Sequence, residues 1–133
     1  MTDSFGGVVR PGIIELLNQL REDRHTLSLW TNSTRDRARW ILYSLGLREY
    51  FTTLVFREDY DADRKGLPKD IRRIKGDILV DDDPKQINFA KSVGKRGFLI
   101  SRFDKGYPAD HTELRELYKS ITKSSSILRF LYK

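Results

Sequence analysis

Apolar and polar positions along the chain predict strands and helices that alternate. Ile13, Leu16, Leu17 and Leu20 recur at helical spacing and give the first helix one apolar stripe, with Pro11 at its first position. Residues 25–31 (His-Thr-Leu-Ser-Leu-Trp-Thr) are rich in strand formers and partly alternate, which predicts a short strand. The second predicted helix has the apolar stripe Ala38, Ile41, Leu42 and Leu45; Ser33 or Thr34 can cap it, and Gly46 stops it.

The rest of the chain continues the alternation. It is predicted to contain a strand at 53–56, a polar loop at 61–66, a short basic helix at 68–74, a strand at 78–80, a helix from Pro84 to Gly94, a strand at 97–101 and a closing helix at 110–123. The inward residues are Ile87, Ala90 and Val93 in the helix from Pro84, and Leu114, Leu117 and Ile121 in the closing helix.

Two of the segments allow a more specific prediction. The run Ile78, Leu79 and Val80 is continuously apolar, which is typical of a strand buried on both faces. Residues 127–132 (Ile-Leu-Arg-Phe-Leu-Tyr) fit either an extension of the closing helix or a further strand.

Alternating strands and helices predict the fold class. They imply a three-layer α/β/α, Rossmann-like arrangement, in which helices cover both faces of a mostly parallel sheet. In such sheets the ligand site lies at the carboxyl ends of the strands. This rule directs attention to Thr31 with Asn32, and to Asp81 with Asp82, because in both places an apolar strand gives way to polar residues.

Length and composition limit the class of protein. The 133 residues predict a single domain, 1–133, with a core at 9–101 and a C-terminal helix and tail at 110–133. The chain has no cysteine, which excludes a disulfide framework and thiolate metal sites and fits a cytoplasmic protein. No apolar run approaches the roughly 18 residues of a membrane helix, so we expect no membrane association. The net charge of +6 favours anionic partners and permits nucleic acid, although no nucleic-acid-binding motif is present.

Three consecutive acidic residues, Asp81, Asp82 and Asp83, follow the apolar strand. Carboxylates crowded at a strand end repel one another, and a shared hard cation such as Mg²⁺ relieves that repulsion. The alternative is a solvated loop in which Asp83 caps the helix that begins at Pro84. Both can hold together, since Asp81 and Asp82 precede the cap position.

Thr31, Asn32 and Lys65 are the candidate phosphate-binding residues. A hydroxyl and an amide at a strand end, beside the N–H groups of a helix start, can hold a phosphate, and ordinary helix capping is the alternative. Lys65 can neutralise a phosphoryl group, although it is one of six basic residues between Arg64 and Lys75. His25 and His111 have no partner at metal-ligand spacing, so a zinc site is not indicated.

These pieces, in this order, resemble the haloacid dehalogenase (HAD) superfamily. The likeness is greatest to its branch of RNA polymerase C-terminal-domain phosphatases and NLI-interacting-factor relatives, and it covers about residues 9–100. The motifs that carry it are Val9-Arg10-Pro11-Gly12, Leu29-Trp30-Thr31, Phe56-Arg57-Glu58-Asp59, the upstream Lys65, and Val80-Asp81-Asp82-Asp83-Pro84.

The resemblance implies a reaction and a set of roles. In the family an aspartate attacks a phosphate ester, and water hydrolyses the resulting aspartyl-phosphate. Thr31 would then hydrogen-bond a phosphoryl oxygen, Lys65 would neutralise the phosphoryl group and the nucleophile, and Asp81 and Asp82 would hold Mg²⁺ directly or through water.

The chain departs from the family at its first motif. That motif is an apolar strand ending in Asp-x-Asp, whose first aspartate is the nucleophile, and nothing before Val8 provides it. The missing strand is also central to the family sheet. The strands ending at Thr31 and Asp81 would therefore pair directly, or another segment such as 127–132 would fill the gap, or the chain is a fragment.

Three functions follow from these observations. The first is a Mg²⁺-dependent phosphatase, shortened before its nucleophile and inactive as it stands. Its substrate would be a phosphorylated small molecule or phosphoprotein, reached through an open site because segments 2–10 and 56–65 are too short for a large cap. The second is a catalytically dead module whose basic segment, 64–75, binds a protein or an anion. The third is a nucleic-acid binder.

Overall fold

The computed structural model describes residues 9–102 and 111–131, with side chains as far as Thr122. The chain divides into two compact units, Met1–Lys69 and Asp70–Lys133. Within the described residues, each unit contains one pair of parallel strands together with helices. This mixed α/β organisation is the one that the alternating pattern predicts.

Residues 9–69 of the first unit contain three α-helices and two strands. In chain order these are α1 (Ile13–Glu22), β1 (Ser28–Trp30), α2 (Arg35–Leu45), a 3-10 turn (Arg48–Tyr50), β2 (Thr53–Val55) and α3 (Arg57–Tyr60). Strands β1 and β2 run parallel, with Ser28 opposite Thr53 and Trp30 opposite Val55. The buried apolar residues of this unit come from the first two helices, from the 3-10 turn and from the end of the second strand: Leu20, Ala38, Leu42, Tyr50, Val55 and Phe56.

Two boundaries in the first unit differ from the prediction. Pro11 lies in a turn before α1, and Gly12, with φ of 90°, takes the N-cap position in the left-handed region. The helix therefore begins after Gly12, since that conformation is not helical. Strand β1 has three residues instead of the seven predicted, although Thr31 N–H still bonds the Val55 carbonyl at 2.9 Å. The predicted helix stop at Gly46 is confirmed by its φ of 68°.

The second unit repeats the strand–helix–strand order. It contains a 3-10 turn (Ile71–Ile74), β3 (Ile78–Asp81), α4 (Pro84–Ser92), β4 (Arg96–Leu99) and α5 (Thr112–Leu131). Strands β3 and β4 are parallel, with Asp81 opposite Leu99. Ile71, Leu79, Ile87 and Ala90 form one buried cluster, which joins β3 to α4. The basic segment 68–74, predicted as a helix, forms only the single 3-10 turn.

Strand β3 is buried on one face only, so the prediction of a strand buried on both faces is wrong. Leu79 and Asp81 are buried, whereas Val80 between them is 36% exposed. Successive side chains of a strand point to opposite faces, and the buried cluster with α4 covers only the face that carries Leu79. A continuous apolar run does not distinguish a strand buried on one face from a strand buried on both, because Val80 is apolar whether its side chain faces the core or the solvent.

Helix α5 shows which of the two predicted structures, helix or strand, residues 127–131 adopt. It is helical through Leu131, so the strand alternative is not adopted as far as that residue, and Tyr132 lies outside the described residues. Hydrogen bonds link this helix to the first residue of β4 and to the chain just after that strand. Ser101 donates from its backbone N–H and its hydroxyl to Glu113 Oε2, at 2.9 and 2.7 Å, and the Arg96 guanidinium donates to the Ser120 carbonyl.

Within residues 9–102 and 111–131, each sheet has two strands and no further strand joins either of them. The segment between α3 and β3 is a short loop and a 3-10 turn, with no inserted cap domain. In the same ranges, no helix combines the length and apolar character needed to cross a membrane.

Candidate functional site

Thr31 lies directly after β1, half-buried at the point where the chain turns toward α2. Its Oγ1 accepts the backbone N–H of Ser33 at 3.0 Å, a turn that threonine side chains favour. A hydroxyl has one hydrogen to donate besides its acceptor positions. Thr31 therefore retains a hydroxyl hydrogen that can be donated to an oxygen anion.

Asn32 is exposed, and its two oxygen atoms are already bonded. Its backbone carbonyl accepts from Arg57 Nε at 2.8 Å, and its side-chain oxygen accepts from the Tyr60 hydroxyl at 3.3 Å. The amide NH₂ group is the part of this side chain that suits a phosphoryl oxygen.

The N-terminus of α2 is capped differently from the prediction. Thr34 occupies the N-cap position, but neither it nor Ser33 caps the helix through a side chain. Glu58 does so instead, since its two carboxylate oxygens accept the Arg35 N–H at 2.9 and 3.2 Å. The backbone N–H groups of Glu58 itself and of Arg35 hold the pKa of this carboxyl below its ordinary value of 4.5. A carboxylate of the chain therefore already occupies the first N–H of this helix start, for which phosphate binding and ordinary helix capping were the two alternatives.

Asp81 ends β3 and is only 8% exposed. Its Oδ1 accepts the backbone N–H of Asp83 at 2.9 Å, and its carbonyl accepts from Ile100 N–H at 3.0 Å. Asp83 in turn accepts the Lys85 N–H at 2.9 Å and caps α4, with Pro84 at the first helical position. The predicted cap is thus confirmed, and it is Asp83, not Asp81 or Asp82, that provides it.

Asp82 is exposed, and its carboxylate lies 3.4 Å from Nε of Arg102. The Arg102 side chain is 86% exposed, so this ion pair is of the weak surface kind. In the described ranges, no three acidic, histidine or cysteine side chains come together as a metal-binding group. Mg²⁺ commonly takes one or two carboxylates and keeps several waters, so the pair Asp81 and Asp82 fits the chemistry of that ion.

Lys65 lies in a loop built around a buried carboxylate. Asp61 is 5% exposed and accepts the backbone N–H groups of Lys65 and Gly66, at 2.8 and 3.0 Å. Arg64 and Gly66 adopt left-handed backbone conformations, with φ of 55° and 76°. The backbone at Lys65 is therefore well fixed, whereas its side chain is exposed.

Sequence reasoning missed three residues in this part of the chain. Glu58 and Asp59 belong to a motif that was noted for its resemblance only, and their contacts with Arg35 join positions 23 and 24 residues apart. Lys69 is half-buried, unlike Lys65, which makes it a second candidate for a positioned ammonium group. No sequence signal separates Lys69 from the other basic residues of segment 64–75.

Two solved structures share the fold of this chain. A putative beta-phosphoglucomutase from Thermotoga maritima matches with a TM-score of 0.57 and 23% identity, over 80% of this chain and 51% of that one. A hydrolase from Streptococcus pneumoniae TIGR4 matches with a TM-score of 0.61 and 15% identity, over 83% of this chain and 57% of that one. The chain therefore spans little more than half the length of either structure. Among curated proteins, none matches it.

The sequence itself identifies the family. Residues 2–129 match the family described as NLI interacting factor-like phosphatase. This range contains every motif noted above. The two structural neighbours agree with this assignment at the level of the fold. The chain belongs to the NLI interacting factor-like phosphatases, a branch of the HAD-like superfamily.

Proposed function

We propose that the chain is a Mg²⁺-dependent phosphoric-monoester hydrolase domain that needs a nucleophile from outside residues 1–133. The observation that carries this proposal is the family match over residues 2–129, within which Thr31, Lys65, Asp81 and Asp82 occur in the order of the family's motifs. Family membership implies a phosphorylated substrate, either a small molecule or a phosphoprotein. A cytoplasmic location stays a prediction from composition.

Thr31 is the proposed phosphoryl-binding residue. Its Oγ1 accepts the Ser33 N–H, which holds the oxygen in place and leaves the hydroxyl hydrogen to be donated. A donor whose oxygen is held in place costs little reorganisation when the substrate binds. Asn32 adds its amide NH₂ group on the exposed side of the same turn.

Asp81 and Asp82 are the proposed metal ligands. Burial of Asp81 and its bond from the Asp83 N–H orient the first carboxylate, and Asp82 becomes available when its surface pair with Arg102 opens. When bound there, Mg²⁺ would balance negative charge on the phosphoryl group.

Lys65 is the proposed neutralising cation, with Lys69 as its competitor. The loop around Asp61 fixes the backbone of Lys65, but its exposed ammonium is surrounded by water, which weakens its electrostatic effect. Lys69 is better shielded. Replacing each lysine separately by methionine, and measuring phosphate affinity, decides which ammonium serves.

The nucleophile is the part that residues 1–133 do not supply. No Asp-x-Asp precedes Val9, and family chemistry needs an aspartate at the end of a strand. We therefore expect no phosphate release by this chain alone. A version extended by the upstream reading frame should release phosphate from a phosphomonoester with Mg²⁺ if that frame encodes Asp-x-Asp.

Binding can be tested without turnover. Inorganic phosphate is titrated into the ¹⁵N-labelled chain with Mg²⁺, for the wild type, Thr31→Val and Thr31→Ser. We expect the valine variant to weaken binding about tenfold or more, because a hydrogen bond to a charged group contributes roughly 1.5–3 kcal/mol, and the serine variant to stay near wild type. Equal binding by the two variants would remove Thr31 from the site.

Metal binding has its own readout. Mn²⁺, a paramagnetic substitute for Mg²⁺, should broaden the amide signals of residues 81–83 first, and Asp81→Asn should abolish this selectivity. Broadening spread evenly over exposed acidic residues would contradict the assignment. If the upstream extension also fails to hydrolyse phosphomonoesters, the inactive binding module becomes the better description.

A further inference from the structure

We propose that Glu58 is a positioning residue, which places the phosphoryl-binding turn by supplying the anion at the start of α2. The turn is defined as residues 31–34, and the segment that holds it, called here the clamp, as residues 56–60. The inference rests on the proposed function, because it concerns how Thr31 is presented to a phosphoryl group.

The clamp reaches the start of α2 through two acidic side chains. Glu58 accepts the Arg35 N–H with both oxygens, at 2.9 and 3.2 Å, and Asp59 pairs with the Arg35 guanidinium at 2.8 Å. Asp59 also accepts the Phe56 N–H at 2.9 Å, so it closes the start of α3 at the same time. One residue, Arg35, is thus held at its backbone and at its side chain.

The clamp also holds the turn itself. The Arg57 backbone N–H donates to the Ser33 carbonyl at 3.1 Å, and Arg57 Nε donates to the Asn32 carbonyl at 2.8 Å. Tyr60 donates to the Asn32 side chain and meets Trp30 edge-to-face, with ring centroids 5.2 Å apart. Two successive carbonyls are fixed, and the Ser33 N–H that bonds Thr31 Oγ1 is fixed with them.

The consequence concerns which groups remain for a ligand. A helix N-terminus attracts anions through its N–H groups and its dipole, and a phosphoryl group would ordinarily compete for them. Here a carboxylate of the chain occupies the first N–H, so an incoming phosphoryl group meets the Thr31 hydroxyl instead of the Arg35 amide. Glu58 is ionised at neutral pH, since its ordinary pKa of 4.5 already lies well below 7 and the backbone N–H groups lower it further.

The experiment uses amide hydrogen exchange and ¹⁵N spectra of the full chain. Glu58→Ala should speed exchange of the Arg35 amide at least about fivefold, the order of effect expected when a helix cap is lost, and should move the Ser33 amide signal. Glu58→Gln keeps an acceptor oxygen and should restore most of the Arg35 protection. Glu49→Ala, an exposed glutamate of the same unit, should leave both signals unchanged.

Phosphate titration then tests positioning. With inorganic phosphate, the wild type should show shifts at residues 31 and 33 and none at Arg35, whereas Glu58→Ala should show an additional shift at Arg35. Unchanged Arg35 exchange and Ser33 signals in Glu58→Ala would overturn the inference. If the wild type binds no phosphate, the proposed function fails, while the exchange data alone still decide whether the clamp positions the turn.

A second variant guards against misfolding of Glu58→Ala. Tyr60→Phe removes only the hydroxyl that bonds Asn32 and keeps the ring that meets Trp30. We expect the side-chain amide signals of Asn32 to move, because its Oδ1 loses the Tyr60 hydroxyl. An Asn32 spectrum identical to the wild type would contradict the clamp.

Discussion

The two units contain the same strand–turn–helix arrangement but complete it in different ways. In both, the side chain at the strand end accepts the N–H two residues later: Thr31 from Ser33, and Asp81 from Asp83. Helix α4 is then capped by its own neighbour, Asp83, whereas α2 is capped by Glu58 from 23 residues farther along the chain. One turn is therefore specified locally, and the other depends on tertiary structure.

This difference explains what the sequence predicted. Aspartate followed by proline is a local helix-start signal, so the cap at Asp83 was predicted correctly. Ser33 and Thr34 provide an equally good local signal for α2, and Thr34 does occupy the N-cap position. Its side chain makes no cap hydrogen bond, however, and the N–H of the first helical residue, Arg35, bonds the distant Glu58 carboxylate instead. Helical stripes and the family motifs could be predicted for the same reason as the cap at Asp83, because each depends on residues close together in the sequence.

Residues whose roles depend on three-dimensional contacts were not predicted. Asp61 looks like any polar loop residue, yet it is buried and holds the Lys65 loop. Val80 looks like a core residue, yet it lies on the face of β3 opposite the cluster with α4. The roles of Thr31, Asn32, Lys65, Asp81 and Asp82 stay predictions, since they require ligands to be tested.

The largest expected effect tests the packing of the second unit. Ile87→Ala should lower the free energy of unfolding by about 2–5 kcal/mol, because it empties a buried site in the cluster with Leu79. Gly97→Ala should cost about 1–3 kcal/mol, since its new methyl group would lie 2.8 Å from Ile87 Cγ2. Urea unfolding measures both effects.

The double variant, Ile87→Ala with Gly97→Ala, tests whether the two positions constrain each other. The methyl group that Gly97→Ala adds would enter the space that the Ile87 side chain leaves, so the double variant should lose less stability than the sum of the two single losses. Simple additivity would show that Gly97 and Ile87 do not constrain each other.

The next effect tests the loop of the first unit. Asp61→Ala leaves the N–H groups of Lys65 and Gly66 without their acceptor, which should destabilise the chain by about 1–3 kcal/mol. Asp63→Ala is the matched control, since Asp63 is exposed in the same loop. Equal effects of the two substitutions would mean that Asp61 does not organise the loop.

A smaller effect tests the local cap of α4. Asp83→Ala should cost about 1 kcal/mol, and Asp83→Ser should recover most of it, because serine is also a good N-cap. Thr34→Ala, at the corresponding position of α2, should cost much less, because its side chain makes no cap bond. Thermal unfolding of the three variants measures this contrast. A similar loss in Thr34→Ala would break the comparison between the units.

The smallest effect is a dependence of stability on pH. The pKa of Glu58 in the first unit is lowered from 4.5 by backbone N–H groups, and that of Asp70 in the second unit is lowered from 3.8 by hydrogen bonds from Arg72. A lowered folded-state pKa contributes stability above the ordinary value, and that contribution is lost as pH falls through the folded pKa. Melting temperatures should therefore begin to fall below about pH 4.5. In Glu58→Gln the slope should be shallower, and an unchanged slope would contradict the assignment to Glu58.

Gly97 also has a bearing on the metal-ligand candidate. A parallel pair of strands can slip only if every residue brought to the same place fits there. A Cβ at position 97 would lie 2.8 Å from Ile87 Cγ2, so a side chain fits there only if Ile87 shifts. A shift of β4 by one residue would bring Arg96 or Phe98 against α4. The small residue at position 97 thus favours the register in which Asp81 lies opposite Leu99.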